Sequence, residues 1–214
     1  MQQSHSTPPV PTRRIGLFGG TFDPPHVGHV LTGQRVAEAL GLQEIHFVVA
    51  NDPWQKRGTR SITPAAVRLE MVRRACYWSR LPDIPMLASD IEIRSGGPSY
   101  TATTLRTLAE THPDVSFEVI VGSDAAAQLH TWHDAEWLAD NATFAVVQRG
   151  GQQAQPSDGF TVTEVSCPQL EISSTDIRTR VASGASIRYL CPEPVRAFII
   201  ANGLYRAVTF GERP

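Results

Sequence analysis

Short apolar segments alternate with segments of helical periodicity along most of this chain of 214 residues. The apolar segments are rich in Ile, Val and Phe, as strands buried on both faces are; they cover residues 14–18, 44–49, 117–121, 143–147 and 161–165. The helical segments between them cover residues 27–40, 64–77, 101–111 and 125–138. This order predicts an α/β fold, a doubly wound parallel sheet with helices on both faces and ligands at the carboxyl ends of its strands.

The composition indicates an ordinary folded protein rather than a disordered chain. Hydrophobic residues make up 41%, charged residues 19%, and the formal net charge is −2. A near-neutral chain lacks the basic excess of an electrostatic DNA binder, so we expect no nucleic-acid partner. No apolar stretch approaches the roughly 20 residues that cross a bilayer, so we expect no membrane partner. Cys76, Cys167 and Cys191 form no CxxC pair, which predicts buried thiols and a cytoplasmic location.

The domain boundaries are predicted from where the alternating pattern begins and ends. We expect a flexible extension over residues 1–13, one domain over 14–208 and a short tail over 209–214. Residues 172–208 form a small, mostly helical C-terminal part of that domain.

One long irregular segment, residues 51–63, follows the second predicted strand. Loops of this length in a compact α/β domain are often functional. It carries Asn51 and Lys56, the single lysine of the chain, and we count both as candidate substrate-binding residues.

The loop after the first predicted strand reads GGTFDPPHVGH over residues 19–29. The paired glycines let a ligand approach the backbone closely. His26 and His29 are three positions apart, so both imidazoles lie on one face of the first helical turn, where exposed N–H groups favour an anion. Because imidazole can donate a hydrogen bond to phosphate and carry positive charge, the pair predicts stabilisation of a phosphorus undergoing displacement.

A second polar motif, ISSTDIR over residues 172–178, begins the C-terminal helical part. Its Ser and Thr residues are good N-cap residues, and Asp176 complements the helix dipole. Arg178 opposes that dipole, which indicates that an anion is its partner. Since the guanidinium binds phosphate oxygens in a bidentate manner, the motif predicts a site for a triphosphate tail.

The two motifs together resemble those of the nicotinate mononucleotide adenylyltransferase family, a Rossmann-like branch of the HxGH nucleotidyltransferase superfamily. Further matches follow in order: GSD over residues 122–124, PSYT over 98–101 and the closing PEPVRAFIIANGLY. The resemblance runs from about Arg14 to Arg206.

The resemblance implies a role for each matching position. The implied catalytic residues are His26, His29 and Arg178. The implied ATP-binding residues are Gly19, Gly20, His29, Gly122, Asp124, Ser173, Thr175 and Arg178. The implied substrate-binding residues are Thr21, Asp23, Thr101, Trp132 and His133.

The pyridine pocket depends most heavily on the resemblance. It implies that Trp132 stacks on the nicotinate ring while nearby amides receive the carboxylate. His133 stands where relatives often have Tyr. From spacing alone, Trp132 is better explained as a core residue and Asp124 equally well as a helix cap.

The implied reaction joins nicotinate mononucleotide to the adenylyl group of ATP, giving nicotinate adenine dinucleotide and pyrophosphate in NAD biosynthesis. Mg²⁺ is expected as a cofactor held mainly by the ATP phosphates, with no metal site on the protein. A homo-oligomer is compatible with the sequence. The alternatives are a related transferase acting on nicotinamide mononucleotide or pantetheine phosphate or using a cytidyl donor, and a non-catalytic nucleotide-binding module.

Overall fold

Six parallel strands form one sheet in the computed structural model, which describes residues 13–53, 61–79, 84–149 and 157–207. The strands are β1 (Arg13–Gly20), β2 (Glu44–Val49), β3 (Met86–Ser89), β4 (Val115–Gly122), β5 (Thr143–Arg149) and β6 (Thr161–Cys167). They lie side by side in the order β3-β2-β1-β4-β5-β6. The predicted doubly wound parallel sheet is therefore confirmed.

Helices connect the strands and cover the sheet. Those within the described residues are α1 (Val27–Leu40), α2 (Ala65–Trp78), α3 (Ile91–Ser95), α4 (Thr101–Thr111), α5 (Ser123–Ala126), α6 (Ala135–Asn141), α7 (Ser174–Ala182) and α8 (Glu193–Ala201). The bounds of α1 and α4 are those that the sequence pattern predicts. Helix α4 packs on one face of the sheet, and α1 and α2 pack on the other, so both faces are buried.

The alternation of side chains along β4 shows how the two faces are filled. Val119 and Val121 belong to a core shared with α4, whereas Ile120 belongs to a core shared with α1 and α2. Successive residues of a strand point to opposite faces, so one apolar strand supplies both cores.

The C-terminal helices add a third apolar cluster beside the sheet. Ile177 of α7 and Ile199 of α8 are fully buried in it, together with Met71 and Ala75 of α2. This packing seats the ISSTDIR motif, which begins α7, next to the elements that follow β1 and β2.

Two parts of the fold differ from the prediction. Strand β3 and helix α3 were not expected, because four residues at the sheet edge with one buried side chain carry little apolar signal. The single helix predicted over residues 125–138 is wrong. Asp134 has a φ of 54°, and Trp132 is extended, so the chain forms α5, a 3₁₀ turn and α6 instead.

The predicted N-terminal extension and C-terminal tail fall largely outside the described residues. Arg13 already pairs with Val115 in the sheet, so β1 begins one residue inside the predicted extension. Among the described helices, none has the length and apolar character needed to cross a membrane.

Candidate active site

The winding of the sheet reverses between β1 and β4, and a crevice opens beyond the carboxyl ends of these two strands. A cavity of about 320 Å³ lies there. It is lined by these residues named from the sequence: Gly19, Gly20, Thr21, Thr101, Gly122, Trp132 and His133. The topology thus brings residues from the carboxyl ends of β1 and β4 and from the start of α4 to one cavity.

The glycines at the end of β1 have different reasons to lack a side chain. A Cβ on Gly20 would come within 2.7 Å of the Phe22 ring, which is buried and folds back under the strand. Phe22 has a φ of 48°, a conformation that side-chain-bearing residues rarely adopt. A Cβ on Gly19 would meet no protein atom within 4 Å. Gly20 is therefore required by packing, whereas the space beside Gly19 is open to a ligand.

The two histidines of the loop are stacked at the start of α1. Their ring centroids lie 3.6 Å apart, and the planes are inclined by 26°. The backbone N–H of His26 donates to Nδ1 of His29 over 3.1 Å. A ring nitrogen that accepts a hydrogen bond carries no proton, so this bond assigns His29 the neutral form with its proton on Nε2.

Residue 28, between the two histidines, has little room for a side chain. A Cβ at this position would lie 3.0 Å from Nδ1 and 3.2 Å from Cε1 of His26. The His26 imidazole therefore occupies the space that a side chain at residue 28 would need.

The start of α7 is hydrogen-bonded directly to the loop that carries the histidines. The Ser174 hydroxyl donates to the Pro24 carbonyl over 2.8 Å, and Nη1 of Arg178 donates to the Asp23 carbonyl over 2.8 Å. Nη2 of Arg178 donates to the Thr175 hydroxyl over 3.0 Å. These bonds join residues 150 and 155 positions apart in the sequence.

Ser173 caps the helix that the motif begins. Its hydroxyl accepts a hydrogen bond from the Asp176 N–H over 3.0 Å, so it is the N-cap of α7. The cap fixes the first turn of the helix, from which Thr175 and Arg178 extend.

The Asp23 carboxylate is held inside the protein. The residue is 1% exposed. Its Oδ1 accepts from the Tyr205 hydroxyl over 2.7 Å, and its Oδ2 accepts from the Thr63 N–H over 3.4 Å. These contacts give Asp23 a structural role in the loop, and its implied contact with substrate stays a prediction.

Arg68 is a site residue that the sequence analysis missed. It is 1% exposed, and Nη1 donates to the Thr21 carbonyl over 2.8 Å. Its Nη2 donates to the carbonyls of Ala50 and Asn51, and its Nε to that of Thr63. One buried guanidinium therefore ties the loop after β1 to the loop after β2.

A signal for Arg68 was present in the sequence. It is in helical register with Met71, Val72 and Ala75, which form the buried face of α2. A charged residue within an apolar helical stripe must find polar partners in the interior.

The far side of the cavity is built by α4 and the segment before α6. Thr101 is the first residue of α4, and the preceding Tyr100 packs edge-on against His133 with ring centroids 4.2 Å apart. Trp132 packs against Phe144 at 6.4 Å and also lines the cavity. Its buried Nε1 has no hydrogen-bond partner among the described residues. Trp132 is thus a residue of the core edge and of the cavity wall.

Two other predicted residues are described but are not part of the cavity wall, and a third falls outside the described residues. Asn51 donates from its backbone N–H to the Ser99 hydroxyl over 2.8 Å and from Nδ2 to the Gly97 carbonyl over 2.9 Å. Asp124 is exposed in the first turn of α5 and is not part of the cavity wall. Lys56 lies outside the described residues. The functional roles of all three stay predictions.

A metal site on the protein would need a group of His, Cys, Asp or Glu side chains close together. Nowhere in residues 13–53, 61–79, 84–149 and 157–207 do three or more His, Cys, Asp or Glu side chains gather as a metal site requires.

Burial raises the pKa of the Cys76 thiol to about 12 and that of Cys191 to about 11, so both stay protonated and unreactive at neutral pH.

The fold and the two joined motifs define a class of nucleotide-handling protein. The chain belongs to the Cytidylyltransferase-like family, whose model matches residues 17–180. More narrowly, it belongs to the nicotinate-nucleotide adenylyltransferase family. A protein of Exiguobacterium sibiricum named "Probable nicotinate-nucleotide adenylyltransferase" is 44% identical over 192 residues, 90% of this chain and 98% of that relative. A relative of the same name from Lactiplantibacillus plantarum is 37% identical, over 92% of this chain and 90% of its own.

Solved structures with the same fold include the Plasmodium falciparum nicotinic acid mononucleotide adenylyltransferase. Its complex with NaAD aligns with a TM-score of 0.73 and 22% identity, covering 90% of this chain and 97% of that one. Its complex with APC aligns with a TM-score of 0.71 over the same shares. At this identity the likeness establishes the fold.

Gly19→Ala separates ligand binding from stability. Because a Cβ there meets no protein atom within 4 Å, we expect the free energy of unfolding to change by less than about 0.5 kcal/mol. The methyl group intrudes on the cavity, so nucleotide affinity should fall about tenfold, in line with an overpacking cost of about 1–3 kcal/mol. Chemical denaturation and calorimetric titration with ATP measure the two quantities.

Gly16→Ala is the matched control in the same strand. Its Cβ would lie 2.6 Å from Cδ1 of Ile45 in the core, so it should lower the free energy of unfolding by about 1–3 kcal/mol while ATP affinity persists. The assignment of Gly19 to the ligand space is wrong if Gly19→Ala destabilises as much as Gly16→Ala or binds ATP as the wild type does.

Proposed function

We propose that the chain transfers the adenylyl group of ATP to nicotinate mononucleotide, giving nicotinate adenine dinucleotide and pyrophosphate. The observation that carries this proposal is the pair of hydrogen bonds from Ser174 and Arg178 to the carbonyls of Pro24 and Asp23. These bonds join the first turn of α7, which carries the motif expected to bind phosphate, to the loop that carries the two histidines. An enzyme that links two phosphorylated substrates needs its cationic and hydrogen-bonding groups at one place. The names of the bacterial relatives support the choice of substrates.

The chemistry requires positioning more than a protein nucleophile. An oxygen of the mononucleotide 5′-phosphate attacks the α-phosphorus of ATP in line. The new P–O bond forms as the bond from the α-phosphorus to the bridging oxygen breaks, and pyrophosphate leaves. The attacking phosphate is already anionic at neutral pH, so the protein need only align the groups and stabilise charge.

His29 can donate a hydrogen bond to phosphate from Nε2 while its ring is neutral. Its Nδ1 is engaged by the His26 N–H, which leaves the proton on Nε2. We assign that Nε2–H to the phosphate oxygens around the reacting centre. His26, stacked on it at the first turn of α1, lies where backbone N–H groups and the helix dipole favour the same anion.

Arg178 is assigned to the leaving pyrophosphate. Its guanidinium is held by bonds to the Asp23 carbonyl and the Thr175 hydroxyl, which set its plane against the loop. A planar, permanently charged group pre-set in this way loses little freedom when it binds phosphate. It stabilises the negative charge that develops as the bridging bond breaks.

The wall of the cavity formed by Trp132 and the start of α4 is assigned to the pyridine end of the mononucleotide, and the space beside Gly19 is assigned to ATP. Trp132 supplies an aromatic wall, and the first turn of α4 at Thr101 presents backbone N–H groups to the carboxylate. No Lys or Arg lines this cavity among the described residues, and Glu92 is part of its wall. Recognition of an acid there would therefore rest on backbone amides rather than on a side-chain cation.

Mg²⁺ is proposed as the companion of ATP rather than as a resident of the protein. The donor set fits this arrangement, because the described residues offer no cluster of ligands and the Asp23 carboxylate is already bonded to Tyr205 and Thr63. Magnesium commonly keeps water and phosphate oxygens as its ligands, and there it neutralises phosphate charge.

We also propose a cytoplasmic location, with ATP and nicotinate mononucleotide as partners. All three cysteines of the chain are buried, a use of Cys that suits a reducing compartment.

A transferase for nicotinamide mononucleotide is the second candidate, because Trp132 in the cavity wall suits either pyridine. The amides of α4 favour a negative charge, so we expect kcat/KM for nicotinate mononucleotide to exceed that for the amide by about tenfold or more. Initial rates of pyrophosphate release with each mononucleotide, and with pantetheine phosphate, measure this. Faster turnover of the amide or of pantetheine phosphate would replace the proposed substrate, and ATP binding without any turnover would indicate a non-catalytic module.

His29→Ala and Arg178→Ala should each lower kcat by about 10² to 10³-fold, because each removes a donor to charge that develops during transfer. Turnover of ATP and nicotinate mononucleotide, with melting temperature as the check on folding, measures the effect. The exposed residues His112 and Arg94 provide matched controls, and their replacement by Ala should leave kcat unchanged. Wild-type turnover in a folded His29→Ala or Arg178→Ala variant removes that residue from the mechanism.

A further inference from the structure

Tyr205 connects the C-terminal end of the described chain to the loop of the candidate active site. Its hydroxyl donates to Oδ1 of Asp23 over 2.7 Å, across 182 positions of sequence. Its backbone has a φ of 63°, in the left-handed region that side-chain-bearing residues adopt at an energetic cost. The Tyr205 side chain packs against the apolar cluster formed by α2, α7 and α8.

Asp23 is the point at which several separate segments meet. Its carboxylate accepts from Tyr205 and from the Thr63 N–H, while its carbonyl accepts from Nη1 of Arg178. The next carbonyl, that of Pro24, accepts from Ser174. Because the carboxylate is 1% exposed, removing one of its donors cannot be compensated by bulk water. A shift of Asp23 would move the carbonyl that holds Arg178.

The Tyr205 hydroxyl stays a donor throughout the neutral and alkaline range. Burial, followed by the negative charge of Asp23, raises the pKa of this phenol well above its ordinary value. Ionisation of the phenol therefore does not remove this donor at neutral pH.

We propose that Tyr205 is a positioning residue for adenylyl transfer, which acts by holding Asp23 so that the Asp23 carbonyl fixes the Arg178 guanidinium against the pyrophosphate of ATP. The inference rests on the proposed function, because it uses the role assigned there to Arg178. Tyr205 is not among the residues lining the cavity given to the mononucleotide, so its effect should be confined to the triphosphate side.

Tyr205→Phe keeps the ring and removes the donor. We expect kcat to fall about 10- to 100-fold, the range that a displacement of about 1 Å in a positioning group can cost. KM for the mononucleotide should stay within about twofold, because its cavity is untouched. In the reverse direction, KM for pyrophosphate should rise about tenfold, since the group that binds it is displaced. Tyr189→Phe, at a tyrosine 82% exposed, is the matched control and should change none of these values.

A double-mutant cycle with Arg178→Ala identifies the route of the effect. If Tyr205 acts through Arg178, Tyr205→Phe should lower kcat no further in the Arg178→Ala background. A full, multiplicative loss in that background, or equal changes in both KM values, overturns the inference and leaves Tyr205 as a structural residue. A harmless Arg178→Ala would instead overturn the role assigned under the proposed function.

Asp23→Asn provides the test if Tyr205→Phe does not fold. An amide at residue 23 keeps an acceptor for Tyr205 but replaces the other acceptor by a donor opposite the Thr63 N–H. We expect a fall in kcat that again disappears in the Arg178→Ala background. Unaltered kcat in a folded Asp23→Asn variant contradicts the proposal.

Discussion

The docking of α7 on the loop after β1 is the contact on which the candidate site depends. Two hydrogen bonds, from Ser174 and Arg178 to consecutive carbonyls, join the front of the chain to its C-terminal part. Carbonyl groups in a loop need donors when they are buried, and here the donors come from the motif that also carries the phosphate-binding arginine. The same bonds therefore stabilise the loop and set the direction of the guanidinium.

The parallel sheet divides the site into two sides. On one side, the start of α1 and the start of α7 gather groups suited to phosphate. On the other, α4 and the segment around Trp132 form a cavity whose described wall carries no Lys or Arg. Buried Arg68 links the loops that frame both sides by donating hydrogen bonds to their backbone carbonyls. A reaction between two phosphates needs this separation, because each substrate is then held at its own end while the reacting groups meet between them.

The sequence predicted the parts of this structure that depend on local periodicity and failed where distant contacts decide. Helices α1 and α4 have the predicted bounds because their apolar spacing is regular. Residues 125–138 also had helical spacing, but the left-handed backbone at Asp134 breaks the helix. The contact of Tyr205 with Asp23 spans 182 positions, and no local pattern encodes such a pair. The motif over residues 19–29 could be recognised in the sequence because paired glycines and two histidines stand together directly after an apolar strand.

A crystal structure with a non-hydrolysable ATP analogue bound shows whether the two motifs bind one triphosphate. We expect Nε2 of His29 and the guanidinium of Arg178 both to lie within about 3.2 Å of phosphate oxygens of the same analogue molecule. A triphosphate bound beyond hydrogen-bonding reach of either group, or held in a pocket away from the β1–α1 loop, would show that the two motifs do not form one site.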